Sequence, residues 1–385
     1  MIQGNTKVVW VALFAIAGMA CSGNVVSGGP GPGGSAGSGG TAGGAGMGGT
    51  GGSGGTGGTD GCAACGVNEE CDGTGHCVEV LAAGLNGPHA IAVDSANVYW
   101  TSPVEGTVVK CPVTGCGGVP TLLASGQPSP DVLALDETHV YWGNHGMNGK
   151  DGSVMKCGIA GCADAPESLL TDVFVGSIVV QDAQLYLTEI TPQPGGAGLL
   201  LRCPTSGCGN TPITLAEVQG VPSGLAVSGT NLGWGASATD LGSPSAVMTC
   251  DSTTCMPMAL ASTSMIGARS VAMDAVNVYW TNADFSVMKC PLSGCDDLIP
   301  ITMASFGDGL DIPVEITTDG VNVYWAMLAM GGTPAVMKCP VEGCEDGPIT
   351  LAAGPMIQAP TGIAVDATHV YWTDSSAGTV MRTLK

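Results

Sequence analysis

A tyrosine–tryptophan motif recurs through the sequence and constrains its fold more than any other feature. The segment "IAVDSANVYWTS" begins at Ile91 and returns six times in related form, so that one motif position falls at Tyr99, Tyr141, Tyr186, Gly233, Tyr279, Tyr324 and Tyr371. Each unit reads as four short strands separated by turns, and a four-strand repeat of about 40 to 50 residues is typical of a β-propeller blade. The sequence therefore predicts an all-β fold, a seven-bladed β-propeller of four-stranded antiparallel blades.

The two ends of the repeat array predict how the ring closes. The last unit stops at Lys385 after its third strand, "TVMRTLK", and a stretch before the first unit, "VEVLAAGLNGP", matches fourth strands such as "PTLLASGQPSP". We predict that a strand at residues 78–83 completes the last blade, which removes two unpaired sheet edges. Because side chains alternate along a strand, the adjacent tyrosine and tryptophan are expected to pack on opposite neighbouring blades.

Six pairs of cysteines, each with four residues between, mark the end of the third strand in six units, as in "VMKCPLSGC". A turn with proline and glycine lets two such cysteines approach closely enough to bridge, and we predict one hairpin disulfide per pair, which pins the outermost strand. Metal binding is the alternative, although a tetrahedral site needs four ligands and each pair supplies two. The predicted disulfides are Cys111 with Cys116, Cys157 with Cys162, Cys203 with Cys208, Cys250 with Cys255, Cys290 with Cys295, and Cys339 with Cys344.

The first residues read as an export signal. Lys7 precedes an apolar run at residues 8–17, and the small residues Gly18 and Ala20 precede Cys21. Such a run is too short to cross a bilayer comfortably. The segment resembles a bacterial lipoprotein signal over residues 1–20, and that resemblance implies lipid attachment at Cys21. An ordinary cleaved signal peptide is the alternative. Ser22 follows the cysteine, and in the resembled lipoproteins a residue other than aspartate there implies delivery to the outer membrane.

Two further segments separate this signal from the repeats. Residues 21–61 form a linker rich in glycine, serine and threonine, which we expect to be disordered and to reach about 30 Å on average. Residues 62–77 form a small cysteine-rich module, in which Cys62, Cys65, Cys71 and Cys77 predict two disulfides of open connectivity. A zinc site on its C-x2-C half is the alternative. The propeller itself is assigned to residues 78–385.

The charge balance limits the classes of partner. The chain has 32 acidic residues against 10 basic ones, a formal net charge of −22 at neutral pH. Such a surface repels nucleic acid and anionic headgroups, so we predict no nucleic-acid partner and no membrane contact except through a lipid anchor. An aspartate also recurs in the first turn of five units, at Asp94, Asp136, Asp274, Asp319 and Asp366. Capping of its own turn is the simpler interpretation, and metal ligation is the alternative.

Function is expected on the face of the propeller that carries the loops of variable length. Uniform scaffolds with variable loops on one face are commonly binding proteins. The candidate binding-face residues are His145, Lys150, Asp151, Glu189, Asp240, Asp308 and Asp311, together with His89 and Asp284. No pair among them has the spacing of a nucleophile with its base or of metal ligands. The sequence therefore predicts no catalytic, cofactor-binding or metal site.

The "VYWTD" and "VYWTN" strings resemble the YWTD repeats of lipoprotein-receptor propellers, and the resemblance implies the blade plan alone. The whole chain looks similar to disulfide-rich repeat lipoproteins of Gram-negative bacteria. We predict an outer-membrane or, alternatively, secreted propeller that binds an envelope or extracellular protein or glycan. The alternative is a propeller enzyme, a lyase or hydrolase, which would gather acid, base or metal-binding side chains at one mouth of the channel. Seven-bladed lyases of the streptogramin type share the architecture, but their histidine and glutamate metal motif is not recognisable here.

Overall fold

The computed structural model describes residues 65–66, 69–146, 151–191, 198–238, 245–263, 267–307 and 311–385. These residues form seven antiparallel sheets, each with four repeat strands in the order inner, second, third and outer. The inner strands contact one another in a closed ring around a central channel. The prediction of an all-β, seven-bladed propeller is confirmed. Among the described residues, no helix has the length and apolar character needed to span a membrane.

The strands of the first four blades follow two short strands, β1 (Glu70–Cys71) and β2 (Cys77–Ala82). Blade 1 contains β3 (Ile91–Val93), β4 (Asn97–Ser102), β5 (Thr107–Pro112) and β6 (Thr121–Ala124). Blade 2 contains β7 (Pro130–Leu135), β8 (His139–Asn144), β9 (Ser153–Gly158) and β10 (Glu167–Thr171). Blade 3 contains β11 (Val175–Gln181), β12 (Gln184–Ile190), β13 (Gly198–Pro204) and β14 (Ile213–Val218). Blade 4 contains β15 (Val221–Ser228), β16 (Asn231–Ser237), β17 (Ala246–Asp251) and β18 (Met258–Ser262).

The remaining blades complete the ring. Blade 5 contains β19 (Ala268–Met273), β20 (Asn277–Asn282), β21 (Ser286–Pro291) and β22 (Ile301–Ser305), with a 3-10 turn at Asp296–Leu298 between the last two. Blade 6 contains β23 (Asp311–Thr318), β24 (Asn322–Ala329), β25 (Ala335–Pro340) and β26 (Ile349–Ala353). Blade 7 contains β27 (Pro360–Val365), β28 (His369–Asp374) and β29 (Thr379–Leu384).

The N-terminal strand β2 closes blade 7, as the sequence predicts. It pairs antiparallel with β29, with Glu79 opposite Arg382. The guanidinium of Arg382 donates two hydrogen bonds to one carboxylate oxygen of Glu79, at 2.6 and 2.8 Å. The ends of the array are thus joined by backbone pairing and by an ion pair within one sheet.

The described part of the cysteine-rich module shares this sheet. β1 pairs with β2 and becomes a fifth strand of blade 7, and a disulfide joins Cys65 to Cys77. Asp72 is fully buried and accepts a hydrogen bond from the backbone N–H of Ala353 in blade 6, at 2.8 Å. Burial alone would raise the pKa of Asp72, but backbone N–H donors bring it below its usual range. Cys71 is also disulfide-bonded, whereas Cys62 lies outside the described residues.

The tyrosine and tryptophan of each second strand form the cores between blades. Tyr279 of blade 5 packs in one cluster with Trp325 of blade 6, and Tyr324 packs in the next cluster with Trp372. Ring closure continues the pattern, since Tyr371 of blade 7 packs with Trp100 of blade 1. Each tyrosine thus contacts the following blade and each tryptophan the preceding one, which confirms the predicted opposite orientation.

All six C-x4-C pairs form disulfides, which close a turn at the end of the third strand. In blade 5, Cys290 lies in β21, and the N–H of Gly294 donates to the carbonyl of Pro291 at 2.9 Å, with Gly294 at φ 100°. The second cysteine precedes the outer strand. The prediction that the bridge pins that strand directly is therefore wrong. A second turn intervenes, and the sulfur of Cys290 instead contacts the carbonyl of Leu260 in blade 4, at 3.5 Å.

The basic residue before the first cysteine bridges consecutive blades. Lys289 of blade 5 donates to the carbonyl oxygens of Val341 and Glu342 in the cysteine turn of blade 6, at 2.8 and 2.6 Å. Lys156 reaches Thr205 in the same way, and Arg202 reaches Ser252. Several of the few cations in the chain therefore form contacts between neighbouring blades.

Candidate functional site

A β-bulge interrupts the inner strand of six blades within one residue of the same point, beside the residue that follows the motif tryptophan or its replacement. In blade 5, Ala268 pairs with Asn282 and Ser270 with Thr281, which leaves Arg269 unpaired between them. A bulge inserts an extra residue and re-aims its side chain, and bulges are frequent beside functional sites. The bulge residues are Asp131, Gly176, Gly224, Arg269, Val314 with Glu315, and Thr361 with Gly362.

The bulges lie at the mouth of the channel on the variable-loop face. The inner strand β7 begins beside the end of β8, where Pro130 pairs with Asn144, and the loops between second and third strands leave from this edge. An exposed side chain on an innermost strand can face only the channel or its mouth. Arg269 and Glu315 are both exposed, so they face this opening.

Two histidines hold Asp131 at the mouth. Nδ1 of His89, just before β3, lies 3.2 Å from one carboxylate oxygen of Asp131, and Nε2 of His145 lies 3.4 Å from the other. His145 Nε2 also contacts the carbonyl of Val175 at 2.9 Å, and its ring packs on Phe174 with centroids 4.7 Å apart. His145 therefore connects Asp131 to the start of blade 3. The half-exposed His89 contacts Asp131 through Nδ1, so its second ring nitrogen, Nε2, points away from that carboxylate.

Glu315 joins this group from blade 6. The residue is exposed to solvent, yet neighbouring protein groups crowd its carboxyl and remove part of its hydration. This partial loss of hydration raises the pKa of Glu315 to about 7, while the hydroxyl of Ser270 and the charge of His89 act in the opposite direction. The charge of Asp131 adds to the rise. At neutral pH, Glu315 can therefore donate or accept a proton.

We expect the carboxyl of Glu315 to titrate with a midpoint near pH 7 instead of the ordinary 4.5. A folded-state pKa above the unfolded value gives a stabilising contribution that is complete below about pH 4.5 and is lost as pH rises through about 7. Carbon NMR of labelled glutamate side chains measures the midpoint, and Glu315→Gln identifies the resonance. A midpoint in the ordinary range would contradict this environment.

Arg269 is the basic member of the mouth. Loss of hydration lowers its pKa from the ordinary value, and no described carboxylate opposes that effect. Among the described residues it donates no hydrogen bond and forms no ion pair. The mouth thus carries a positive group on blade 5 and acidic groups on blades 2 and 6.

Buried threonine hydroxyls fix the bulges that carry these side chains. Thr281 Oγ1 accepts from the N–H of Ser270 at 3.2 Å and donates to the carbonyl of Val314 in the next blade at 2.8 Å. Thr373 makes the same link from Gly362 to the carbonyl of His89 across the ring closure. The threonine that follows tryptophan in several repeats therefore positions the mouth from one blade to the next.

The repeated aspartates of the first turn lie on the opposite face and have a structural role. Oδ1 of Asp274 accepts from the N–H groups of Val276 and Asn277, each at 2.7 Å, and Oδ2 accepts from the hydroxyl of Tyr279 at 2.6 Å. Asp94, Asp136, Asp319 and Asp366 bond to their tyrosines in the same way. The capping interpretation is thus confirmed, and no metal-ligating group of three side chains occurs in the described ranges.

The candidate binding-face residues fall into different settings. His145 joins Asp131, and Glu189 at the end of β12 is half-buried with a pKa raised by burial. Asp311 begins the inner strand β23, Asp151 lies in the connection before β9, and Asp284 accepts from Ser286 within its own turn. Lys150, Asp240 and Asp308 lie outside the described residues.

Sequence reasoning missed Asp131, Arg269 and Glu315, although a signal was present. When the repeats are aligned on the tryptophan position, the residues near the start of each inner strand differ in chemistry from unit to unit. Two places before Ile91 and its equivalents stand His89, Asp131, Gly176, Ser223, Arg269, Val314 and Thr361. Variation at one position of an otherwise uniform repeat marks the place where side chains are not needed for packing.

Two surface grooves lie elsewhere, at the outer rim. One is lined by Glu79–Ala83 with the cysteine turn of blade 1, and the other by Glu167–Thr171 with the cysteine turn of blade 3. Both are shallow, open grooves without a cluster of titratable groups. The channel mouth is the stronger candidate site because it combines charge, partial burial and fixed geometry.

No protein-family model matches the chain. No curated protein sequence matches it either. The fold is nevertheless similar to solved structures. A virginiamycin B lyase from Staphylococcus aureus matches with a TM-score of 0.58 and 12% identity, over 80% of this chain and 99% of that one. At 12% identity, the match shows a shared propeller fold alone.

Two further solved structures show the same fold with unrelated names. The hydrazine synthase of Kuenenia stuttgartiensis matches with a TM-score of 0.58 and 11% identity, over 79% of this chain and 97% of that one. The WD40 propeller domain of Doa1 matches with a TM-score of 0.57 and 11% identity, over 80% of this chain and 97% of that one. Because proteins with such different names share this fold, the fold by itself does not indicate a function.

Proposed function

We propose that this protein is an exported propeller that binds a small polar ligand at the channel mouth on its variable-loop face. The observation that carries the proposal is the convergence of His89, Asp131, Arg269 and Glu315 on one opening, each on or beside an inner strand. Polar groups that converge in a concave, partly buried place are the usual mark of a ligand site. The disulfide-bonded cysteines agree with an oxidising compartment.

The proposal includes a membrane anchor through lipid at Cys21. The apolar run at residues 8–17 and the small residues before Cys21 support export and lipidation, and Ser22 supports the outer membrane. A glycine-rich linker of about 30 Å average reach would let the propeller stand off the surface. Membrane fractionation of the wild type and of Cys21→Ala tests this part. Soluble wild-type protein without lipid would refute it and leave the ligand site unaffected.

Enzymatic proton transfer is the second candidate, and one specific observation favours it. A hydrogen bond from His89 Nδ1–H to Asp131 favours the tautomer in which Nε2 carries no proton and can act as a base. Glu315 can exchange a proton near neutral pH. Such convergence is what the enzyme alternative predicted from sequence. Recovery of a chemically altered compound after incubation, absent with Glu315→Gln, would support this candidate.

The binding proposal is tested with native mass spectrometry of the exported protein against a mixture of small polar metabolites. We expect at least one compound to bind the wild type and to be lost in the double variant Arg269→Gln with Glu315→Gln. The matched control combines Lys338→Gln on the third strand of blade 6 with Glu345→Gln in the turn that follows Cys344, and it should retain the compound. Equal binding by all three proteins would place the ligand elsewhere and refute the proposal.

A further inference from the structure

Arg269 differs from most other cations among the described residues in its lack of a protein partner. Lys110, Lys156, Arg202, Lys289, Arg382 and Lys385 each donate to a carbonyl or a carboxylate of the protein. Of the described basic residues other than histidine, Lys338 and Arg269 make no such bond, and Arg269 alone lies on an inner strand. A partly desolvated guanidinium without a carboxylate is well suited to an anionic group of a ligand.

The negative groups of the mouth lie on other blades. Asp131 stands on blade 2 between two imidazoles, and Glu315 stands on blade 6. Together they form a pole that accepts hydrogen bonds and favours positive charge. Arg269 does not contribute to the pKa shift of Glu315, so the positive and negative groups are not paired with each other. The opening therefore carries separated charges of both signs.

The charge of the whole protein limits which ligand suits such an opening. With a net charge of −22, the molecule repels a simple anion at long range. A simple cation would be attracted but would leave Arg269 without a partner. A ligand with one group of each sign has no net repulsion to overcome and can satisfy both poles.

We propose that the channel mouth binds a zwitterion, with the ligand's carboxylate on Arg269 and its ammonium group on Asp131 and Glu315. This inference rests on the proposed function and names the class of ligand. An ammonium group next to Glu315 stabilises the ionised carboxylate, which also faces Ser270, His89 and Asp131. Binding therefore releases a proton from Glu315, and affinity rises as pH increases through about 7.

The test uses the exported full-length protein and isothermal titration calorimetry with a length series of zwitterions: glycine, gamma-aminobutyrate and epsilon-aminocaproate. Butyrate and butylamine are the singly charged counterparts of the middle member. We expect one zwitterion to bind more tightly than either counterpart. Arg269→Gln and Glu315→Gln should each weaken it about 10- to 100-fold, and Lys338→Gln should not. Titrations in buffers of different ionisation enthalpy should show proton release.

The outcomes separate this inference from the proposed function. Butyrate binding that depends on Arg269, with no gain from the ammonium group, would overturn the zwitterion and leave a ligand site at the mouth. Butylamine binding that is unaffected by Arg269→Gln would do the same. Failure of every zwitterion overturns the inference. If the metabolite mixture also gives no ligand that Arg269→Gln with Glu315→Gln removes, the proposed function fails as well.

Discussion

Full reduction of the disulfides is expected to unfold the propeller at physiological temperature. Each C-x4-C bridge closes a loop of sequence separation 5, for which the chain-entropy model gives a stabilisation of about 2 kcal/mol. Six such bridges together amount to roughly the whole stability of a typical domain, about 5 to 15 kcal/mol. Circular dichroism melting after reduction and alkylation measures the effect. Protein treated with the alkylating reagent alone is the control.

Removal of a single disulfide should produce a smaller loss of stability. Cys290→Ala with Cys295→Ala should lower the free energy of unfolding by about 2 kcal/mol. The double substitution also removes the sulfur contact with the carbonyl of Leu260 in blade 4. If the reduced protein melts at the temperature of the oxidised one, blade packing alone holds the ring, and the bridges have another role.

Trp325→Ala is expected to destabilise the protein by about 3 to 5 kcal/mol, the usual cost of a large aromatic residue removed from a core. Trp325 is fully buried between blades 5 and 6, where it packs with Tyr279 and Ile316. Chemical denaturation followed by fluorescence or circular dichroism measures the change. Because the substitution leaves a cavity between two blades, we expect a loss of stability without loss of the propeller fold.

Another blade of the chain shows that leucine can fill the position of this tryptophan. In blade 3, Leu187 occupies the place of the tryptophan and is fully buried in the equivalent cluster. Trp325→Leu should therefore cost clearly less than Trp325→Ala. Equal losses from the two variants would mean that the indole ring, and not apolar volume, stabilises this interface.

The fold could be predicted from the sequence because its determinants repeat. A buried Tyr–Trp pair, a capping aspartate and a cysteine turn recur in register, and ring closure follows from an orphan strand such as residues 78–83. Each of these features is local in sequence and acts through burial or a short-range hydrogen bond. Repetition makes such local signals visible without any knowledge of the structure.

The site was not predictable in the same way. His89, Asp131 and Glu315 come from blades 1, 2 and 6, so their approach depends on ring closure and on a bulge that sequence periodicity does not show. Sequence reasoning placed function in the long loops, yet the strongest cluster lies on inner strands beside them. Of the predicted residues, His89 and His145 belong to this cluster, and both contact the carboxylate of Asp131.

The side chains exposed at the inner-strand bulges take no part in holding the blades together. Packing between blades depends on the second strands, on the cysteine turns and on the lysines that bridge them, and none of these contacts uses the side chains of Arg269 or Glu315. Repetition of one blade unit therefore supplies a frame in which a few positions remain free to differ from blade to blade. A library randomised only at the exposed bulge positions should yield mostly folded proteins, so the same frame can carry different side chains at the channel mouth.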